Sequence, residues 1–297
     1  MRLFPTAARA PLALAFALSA CGTTEPTHPP TKEMVHAVTV NNQLIHFNAG
    51  QPQKILSRKP LSGLLAQDRL LGIDYRVARG QLYGLGASGQ LYRIDTATGM
   101  AATIGSQAVL TGEGREYGFD FNPTVDRIRV ISDTGLNLRM HPDTGAMVDS
   151  DPGRPGLQLD GMLAFDAKDA NAGKKPAVVA AGYTYNKTDE KQTTNYVIER
   201  SQGILAHMGT KEGVTPVVSP NTGKLYTVGS LGLPPFDRAT LDISDISNTG
   251  YAAITPAADA SGRASSRWYR IDLKTGKAQL MGSIGENELV VGTAIEP

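Results

Sequence analysis

The 297-residue sequence has a single cysteine, Cys21, and a single tryptophan, Trp268. One cysteine cannot form an intramolecular disulfide, so the fold must be stable without one. Aromatic residues make up 6% of the chain, which leaves few flat surfaces on which sugar rings could stack. The chain has 29 basic and 28 acidic residues, so it has no excess charge that would attract nucleic acid or an anionic membrane.

Several common catalytic patterns are also missing from the sequence. No GxSxG nucleophile motif is present, which argues against a serine esterase. The histidines show no paired spacing of the kind that zinc ligands have, which argues against a zinc hydrolase. They lie at positions His28, His36, His46, His141 and His207.

A sustained apolar run, residues 11–20, lies near the N-terminus and follows the positive charges of Arg2 and Arg9. It is too short to span a bilayer but has the length of a signal-peptide core. The run ends in the sequence LSAC, which resembles a bacterial lipobox. We expect residues 1–20 to be a lipoprotein signal peptide and Cys21 to carry the lipid that attaches the protein to the membrane.

The segment GTTEPTHPPTKE, residues 22–33, has no apolar residue other than its prolines. Such a composition cannot bury enough surface to fold, so residues 21–34 are predicted to be a disordered tether. Gly22 stands where an aspartate would retain a lipoprotein at the inner membrane of a Gram-negative cell. The sequence therefore favours attachment to the outer membrane, with the domain facing the periplasm.

An eight-residue motif recurs along the rest of the chain. YRIDTATG at residues 92–99 returns as YRIDLKTG at residues 269–276. Looser copies end at Gly50, Gly145 and Gly203. Around each copy, apolar and polar residues alternate between glycine-containing turns, which predicts short antiparallel strands. Trp268 alternates with Tyr269 in such a strand, so we expect one of the two to pack between repeats.

Repeats of about four short strands are typical of β-propeller blades. The copies predict an all-β domain over residues 35–297 with five four-stranded blades, and six blades are the competing count. The last interval between copies is longer than the others, which suggests a hairpin or loop inserted near residues 213–235. Residues 290–295 resemble the opening strand of a blade, and residues 35–42 resemble a second strand. We expect the two ends of the domain to close the ring in one blade.

The motifs LLGIDYR, GQLYGLGASGQLYRIDTATG, GFDFNPTVDRIRVISDTGLNLRMHPDTG and DAKDANAGKKP resemble the bacterial domain-of-unknown-function family 4394. The resemblance covers residue 61 to the C-terminus. It implies an exported, propeller-like domain with no assigned activity. It transfers no catalytic residue.

Two short motifs have a structural interpretation that is favoured over a catalytic one. Gly84, Gly86 and Gly89 form a GxGxxG pattern, but a strand follows it instead of the helix that a dinucleotide site needs. The two Asp-Thr-Gly triplets, which begin at Asp133 and Asp143, lie too close together to supply the paired carboxylates of an aspartic protease. Both patterns predict turns.

Oxygen-bearing side chains cluster in the sequence DAKDANAG. Asp166, Asp169 and Asn171 offer ligands of the kind that calcium prefers, although their spacing is not that of an EF-hand. A solvated turn is the favoured interpretation, with calcium as the alternative. No other cofactor is expected.

Three aspartates, Asp74, Asp120 and Asp242, each stand between apolar residues in a predicted strand. If these are the innermost strands of their blades, the carboxylates gather around the channel mouth, with Arg76 and Asn122 on the same side. Grouped carboxylates raise one another's pKa or hold a cation, which would make this a site. Alternatively, each aspartate bonds the backbone amides of the neighbouring blade.

These observations favour a lipid-anchored propeller that binds a small ligand or an envelope protein, without catalysis. The alternative is an envelope hydrolase or lyase that uses the channel-mouth carboxylates, with calcium as its ion. A surface protein that contacts other cells or matrix is a third hypothesis. Nucleic acid is not an expected partner.

Overall fold

The computed structural model describes residues 25–110, 114–257 and 264–297. Over these ranges the chain forms 21 strands and two short 3-10 helices, and it contains no α-helix. In the same ranges, no helix is long and apolar enough to cross a membrane. The predicted all-β class is confirmed.

The strands form five sheets, which are the five blades of a propeller. Three of the blades follow one another regularly, each with its strands in order from the inner edge outwards. Blade 1 contains β21 (Val290–Ile295), β1 (Met34–Thr39), β2 (Gln43–Asn48) and β3 (Gln51–Pro60); blade 2 contains β4 (Leu70–Arg76), β5 (Gln81–Gly86), β6 (Leu91–Ile94) and β7 (Ala101–Ile104); blade 3 contains β8 (Tyr117–Asn122), β9 (Arg127–Ser132) and β10 (Asn137–Met140).

The last two blades are less regular. Blade 4 contains β12 (Val178–Tyr183), β13 (Asn195–Glu199), β14 (Ile204–Met208), β15 (Lys224–Ser230) and the short parallel strand β11 (Ala164–Phe165). Blade 5 has an inner edge shared by β16 (Phe236–Ala239) and β17 (Asp242–Ile243), followed by β18 (Gly250–Pro256), β19 (Arg267–Ile271) and β20 (Ala278–Ser283). The prediction of five blades is therefore confirmed. The prediction of four strands in each blade holds for blades 1 and 2 and fails for the other three.

Three details of the predicted repeat need correction. Blade 3 has three strands, and a single bridge between Met140 and Met147 stands where the fourth would be. The copy at residues 196–203 lies on β13, the second strand of its blade, whereas the copies at residues 92–99 and 269–276 lie on third strands. The region near residues 213–235 is not an added hairpin, because it contains β15 of blade 4.

The ring closes in blade 1, as predicted. The N-terminal strand β1 pairs antiparallel with β2 on one side and with the C-terminal strand β21 on the other. Val35 faces Ile295 and Ala37 faces Thr293 across the closing ladder. Because these hydrogen bonds join the two ends of the domain, the N-terminal strand of blade 1 has no free edge.

Apolar clusters fill the space between each pair of neighbouring blades. The cluster between blades 5 and 1 contains Trp268, which is fully buried. Its Nε1 donates to the Ala49 carbonyl oxygen at 3.0 Å, and its ring stacks on Tyr251 with centroids 5.6 Å apart. The prediction that Trp268 or Tyr269 packs between repeats is confirmed for Trp268.

The inner strands approach one another closely because glycine lies on them. A Cβ atom on Gly118 of β8 would lie 2.7 Å from the backbone nitrogen of Ala181 in the next blade. A Cβ on Gly72 of β4 would lie 2.8 Å from the Cβ of Phe119. The cavity along these strands measures about 20 Å³, which has room for about one water molecule.

Residues 25–33, which include most of the predicted tether, lie against the domain. The Asn48 side chain accepts from the Thr31 N–H and donates to the Thr31 carbonyl oxygen, both at 2.9 Å. Glu33 is buried and accepts from the Ser247 hydroxyl at 2.6 Å. Glu25 pairs with Arg267 at 2.8 Å. The prediction of disorder over residues 21–34 is therefore corrected for residues 25–33, and residues 1–24 lie outside the described part of the chain.

Candidate functional site

The structure brings together the three aspartates that share a sequence setting. Asp74 lies on β4, Asp120 on β8 and Asp242 on β17, which are inner strands of blades 2, 3 and 5. All three side chains are buried, and a carboxylate oxygen of each lies within 4.8 Å of the others. This grouping follows from one shared strand position in three blades.

Each of these carboxylates also accepts a hydrogen bond from the backbone of the following blade. The three bonds come from the N–H groups of Phe121 to Asp74 at 2.7 Å, Tyr183 to Asp120 at 2.8 Å and Ile295 to Asp242 at 2.6 Å. In blades 4 and 1 the equivalent positions carry Gly182 and Ala294, so these blades do not contribute a carboxylate. The geometry thus agrees with both interpretations of the aspartates. The three carboxylates lie close together, and each one also bonds a backbone amide of the next blade.

Burial raises the pKa of all three aspartates. The pKa of Asp120 is held well above its usual value by burial and by the nearby charges of Asp74 and Asp242. Burial and the charge of Asp242 do the same for Asp74, and burial raises the pKa of Asp242 to about 6. The cluster therefore retains protons at a pH at which an exposed aspartate is ionised.

Arg76 and Asn122 do not join this cluster, although they follow two of the aspartates on their strands. The Arg76 guanidinium is buried and donates to Asp126 and Asp143 of blade 3, with its shortest bonds at 2.5 Å. Asn122 accepts from the N–H and the hydroxyl of Thr124, at 2.9 and 2.7 Å. Neither side chain bonds to one of the three carboxylates, so their predicted place beside them is corrected.

The proposed calcium ligands Asp166, Asp169 and Asn171 lie in a loop that bonds to blade 4. Asp169 accepts from the Thr227 N–H at 2.6 Å, from the Thr227 hydroxyl at 2.8 Å and from the Asn171 N–H at 2.8 Å. Asp166 accepts from the Lys168 N–H at 3.0 Å, and its other oxygen lies 3.4 Å from Lys224 Nζ. These oxygens are engaged with protein donors, which agrees with the favoured interpretation of a turn.

No sequence motif indicates the concave surface that lies around Asn122. Three cavities of about 380, 420 and 290 Å³ lie on one face of the propeller, and Asn122 lines all of them. Tyr183 and Pro220 line both of the larger two. We call the larger two the blade 3–4 groove. Together they are large enough for a small ligand or a short peptide segment.

Asn195 is the most informative residue of the groove. It lies on β13, it is 2% exposed, and it lines the cavity of about 420 Å³. Neither its side-chain nitrogen nor its side-chain oxygen has a hydrogen-bond partner among the described residues. A buried amide without partners costs about 1–3 kcal/mol, so an ordered water or a ligand that enters the cavity would stabilise this side chain.

A charged wall, which includes Arg129 and Arg139, lines the cavity of about 380 Å³. Asp160 is fully buried and accepts from both Arg129 and Arg139, and the bonds from Arg139 are 2.9 Å long. Arg129 also donates to Tyr183 at 3.2 Å and to Asn221 at 2.6 Å. Because every one of these groups has a partner, the wall keeps its shape without a ligand.

The rim of the groove combines apolar and charged side chains. Val214 and Val217 are 48% and 80% exposed, on the loop between β14 and β15. Lys211, Glu212 and Lys191 line the same cavity. No motif identifies these residues in the sequence, because the loop reaches Asn195 only after β14 and β15 have paired.

Comparison with known proteins gives a family and no activity. The family model described as "Domain of unknown function (DUF4394)" matches residues 43–294. Among curated proteins, none matches this chain in sequence. A solved structure of a structural genomics protein of unknown function from Bacteroides thetaiotaomicron is 13% identical, with a TM-score of 0.43. The alignment covers 90% of this chain, and the chain spans 64% of that protein.

Proposed function

The chain belongs to the family "Domain of unknown function (DUF4394)", and we propose that it is a binding module without catalytic activity. Its ligand is an extended peptide segment held in the blade 3–4 groove. The observation that carries this proposal is the buried amide of Asn195, which has no partner among the described residues and which lines the groove.

A peptide group matches what Asn195 offers. The side-chain amide presents a donor and an acceptor next to each other, and the backbone of an extended peptide presents the same pair in reverse. The exposed Val214 and Val217 supply an apolar surface for a side chain of the ligand. The small cavity volume limits the bound segment to a few residues.

Attachment to the cell envelope is the second part of the proposal. It is supported by the apolar run at residues 11–20 and by the sequence LSAC that ends at Cys21. A lipid on Cys21 would keep the module at the outer membrane, where it meets envelope peptides or proteins. Replacement Cys21→Ser, or treatment of cells with globomycin, should release the protein from the membrane fraction or leave its precursor uncleaved. Unchanged fractionation and processing would overturn this part.

The alternative of a hydrolase or lyase at the three aspartates has no support in the geometry. Asp74, Asp120 and Asp242 are buried and bonded to the next blade. The cavity along the same inner strands, about 20 Å³, is too small for a substrate.

The peptide proposal can be tested by NMR with a defined probe. We expect the tripeptide acetyl-Ala-Val-Ala-amide to shift the side-chain amide signals of Asn195. The side-chain amide of Asn48 in blade 1 serves as an internal control. It is bonded to the backbone of Thr31 and should not respond. Glucose at the same concentration distinguishes a peptide site from a sugar site.

The variant Asn195→Leu separates binding from folding. Replacing a buried amide that lacks partners with an apolar side chain of similar size should leave stability equal or higher. The tripeptide response of the groove residues should disappear in this variant. A wild-type signal that does not shift, or a variant that still responds, would overturn the proposal.

A further inference from the structure

A second polar cluster lies at the closing blade, away from the groove. His36 of β1 and His46 of β2 stand directly opposite each other in the antiparallel ladder. Their rings stack with centroids 4.4 Å apart and an interplanar angle of 18°. Glu296 follows the C-terminal strand β21, and its N–H donates to the Met34 carbonyl oxygen at 2.8 Å. The cluster therefore joins both ends of the domain.

The ligand atoms of these three residues are spaced as they are around a metal ion. Glu296 Oε1 lies 3.2 Å from His36 Nδ1 and 3.2 Å from His46 Nε2. All three atoms lie within 4.8 Å of one another. Ligands at about 2.0–2.1 Å from tetrahedral zinc lie roughly 3.3 Å apart. Because the two rings are stacked and nearly parallel, the half-buried ring of His46 must rotate out of the stack before both rings can bind one ion.

The hydrogen bonding at His46 is incomplete. Its Nε2 is buried and has no hydrogen-bond partner among the described residues, although the Glu296 carboxylate is 3.2 Å away. The contact lacks hydrogen-bond geometry, so this ring nitrogen can still bind another partner. The unpaired nitrogen is an observation independent of the grouping itself.

The surroundings of His36 and Glu296 also bear on metal binding. The side chain of His36 is buried. The Tyr75 hydroxyl lies 3.0 Å from His36 Nδ1, and a bound ion would replace this contact. The side chain of Glu296, 37% exposed, supplies a negative charge and contact with solvent.

We propose that His36, His46 and Glu296 bind one divalent transition-metal ion, with zinc as the preferred ion. Two imidazoles and one carboxylate form a ligand set that suits zinc and leaves a fourth position for water. One ligand comes from β1, one from β2 and one from the residue that follows β21. The ion would therefore link the first and last strands of the ring. The site is separate from the blade 3–4 groove and does not depend on the peptide proposal.

Isothermal titration calorimetry with ZnCl₂ tests this site in the full chain, purified without a histidine tag and stripped with EDTA. We expect one zinc ion per chain and a melting temperature that rises by several degrees when zinc is added. Cobalt(II) should give the visible absorption of a tetrahedral complex. His46→Gln and Glu296→Gln should each weaken zinc binding at least tenfold.

His141→Ala is the matched control, since His141 lies in a turn of blade 3 and bonds the Asp143 N–H. It should bind zinc as the wild-type protein does. Binding of nickel or copper in place of zinc would retain the site and change only the preferred ion. Substoichiometric binding of all three ions, or equal zinc affinity in wild type and His46→Gln, would overturn the proposal.

Discussion

Asp74 in blade 2 accepts a hydrogen bond of 2.7 Å from the N–H of Phe121, the residue that follows Asp120 in blade 3. Asp120 repeats the same relationship with Tyr183 in blade 4, at 2.8 Å. The carboxylates that join the blades are thus also brought close to one another. This arrangement makes the stability of the ring depend on the protonation of a few buried acids.

The contribution of Asp74, Asp120 and Asp242 to the free energy of unfolding is expected to fall as the pH rises. The folded-state pKa of Asp74, Asp120 and Asp242 lies above the usual value of 3.8. The stability that this protonation contributes is fully present below 3.8 and is lost as the pH rises through the folded-state pKa values, about 6 for Asp242. Urea unfolding between pH 4 and pH 8 measures this slope. The lowered pKa of buried His36 contributes a slope of the opposite sign, so the wild-type protein is compared with Asp120→Asn. Equal slopes in the two proteins would contradict the prediction.

Asp120→Asn should stabilise the protein at pH 8 by on the order of 1 kcal/mol and flatten this slope. The new amide can accept from the Tyr183 N–H and donate to Asp74, so it replaces a shared proton. Asp74→Asn is the control and should destabilise, because both oxygens of Asp74 accept from backbone N–H groups. If Asp120→Asn destabilises and EDTA lowers the melting temperature of His46→Gln, which lacks the proposed zinc site, a bound cation occupies the aspartate cluster instead.

Gly118→Ala should destabilise the ring by roughly 1–3 kcal/mol, because the new methyl group meets the backbone of Ala181 at 2.7 Å. Backbone atoms cannot rotate away, so blades 3 and 4 must separate. Gly153→Ala is the matched control, since the nearest atom would lie 3.4 Å away. Thermal unfolding compares the two variants, and equal melting temperatures would show that the inner strands can relax.

Asp160→Asn should cost roughly 3–5 kcal/mol, because it leaves the buried guanidinium of Arg129 without its counter-charge. The groove wall should loosen at the same time. Arg267→Gln removes the exposed pair with Glu25 and should change stability by less than about 1 kcal/mol. Urea midpoints of the two variants measure the difference, and similar midpoints would show that the Asp160 network adds little.

Trp268 provides an intrinsic signal for ring closure. Because it is fully buried between blades 5 and 1, its fluorescence should be blue-shifted when folded and should move to the red when the ring opens. Trp268→Phe removes the bond to Ala49 and should cost roughly 1–3 kcal/mol. Fluorescence and circular dichroism should report one shared transition. A fluorescence change at lower urea would mean that blades 5 and 1 part first.

Most of the fold could be predicted from the local residue pattern within each repeat. Alternating residues and glycine turns indicate strands wherever they occur, so the blades and the closing ladder could be predicted. The blade position expected for the copy at residues 196–203 was wrong, because the same strand-turn pattern fits a second strand as well as a third. Its position within the blade depends on pairing with β12 and β14, which the motif alone does not contain.

The candidate sites likewise differ in how far the sequence could predict them. The aspartates were found because three blades repeat one strand position, which the sequence displays directly. His36 and His46 are ten residues apart, and only the register of β1 against β2 places them opposite each other. Asn195 is one asparagine among many until its neighbours bury it and leave its amide without a partner among the described residues.

By itself, the sequence determined an all-β domain of recurring short strands whose last strand can pair with its first. Those properties depend on residues close together in the chain, where alternation and turn chemistry act. Only the tertiary structure decided which polar groups are satisfied and which are not, because that depends on how blades pack and on the register between distant strands. The groove at Asn195 and the cluster at His46 are consequences of that packing.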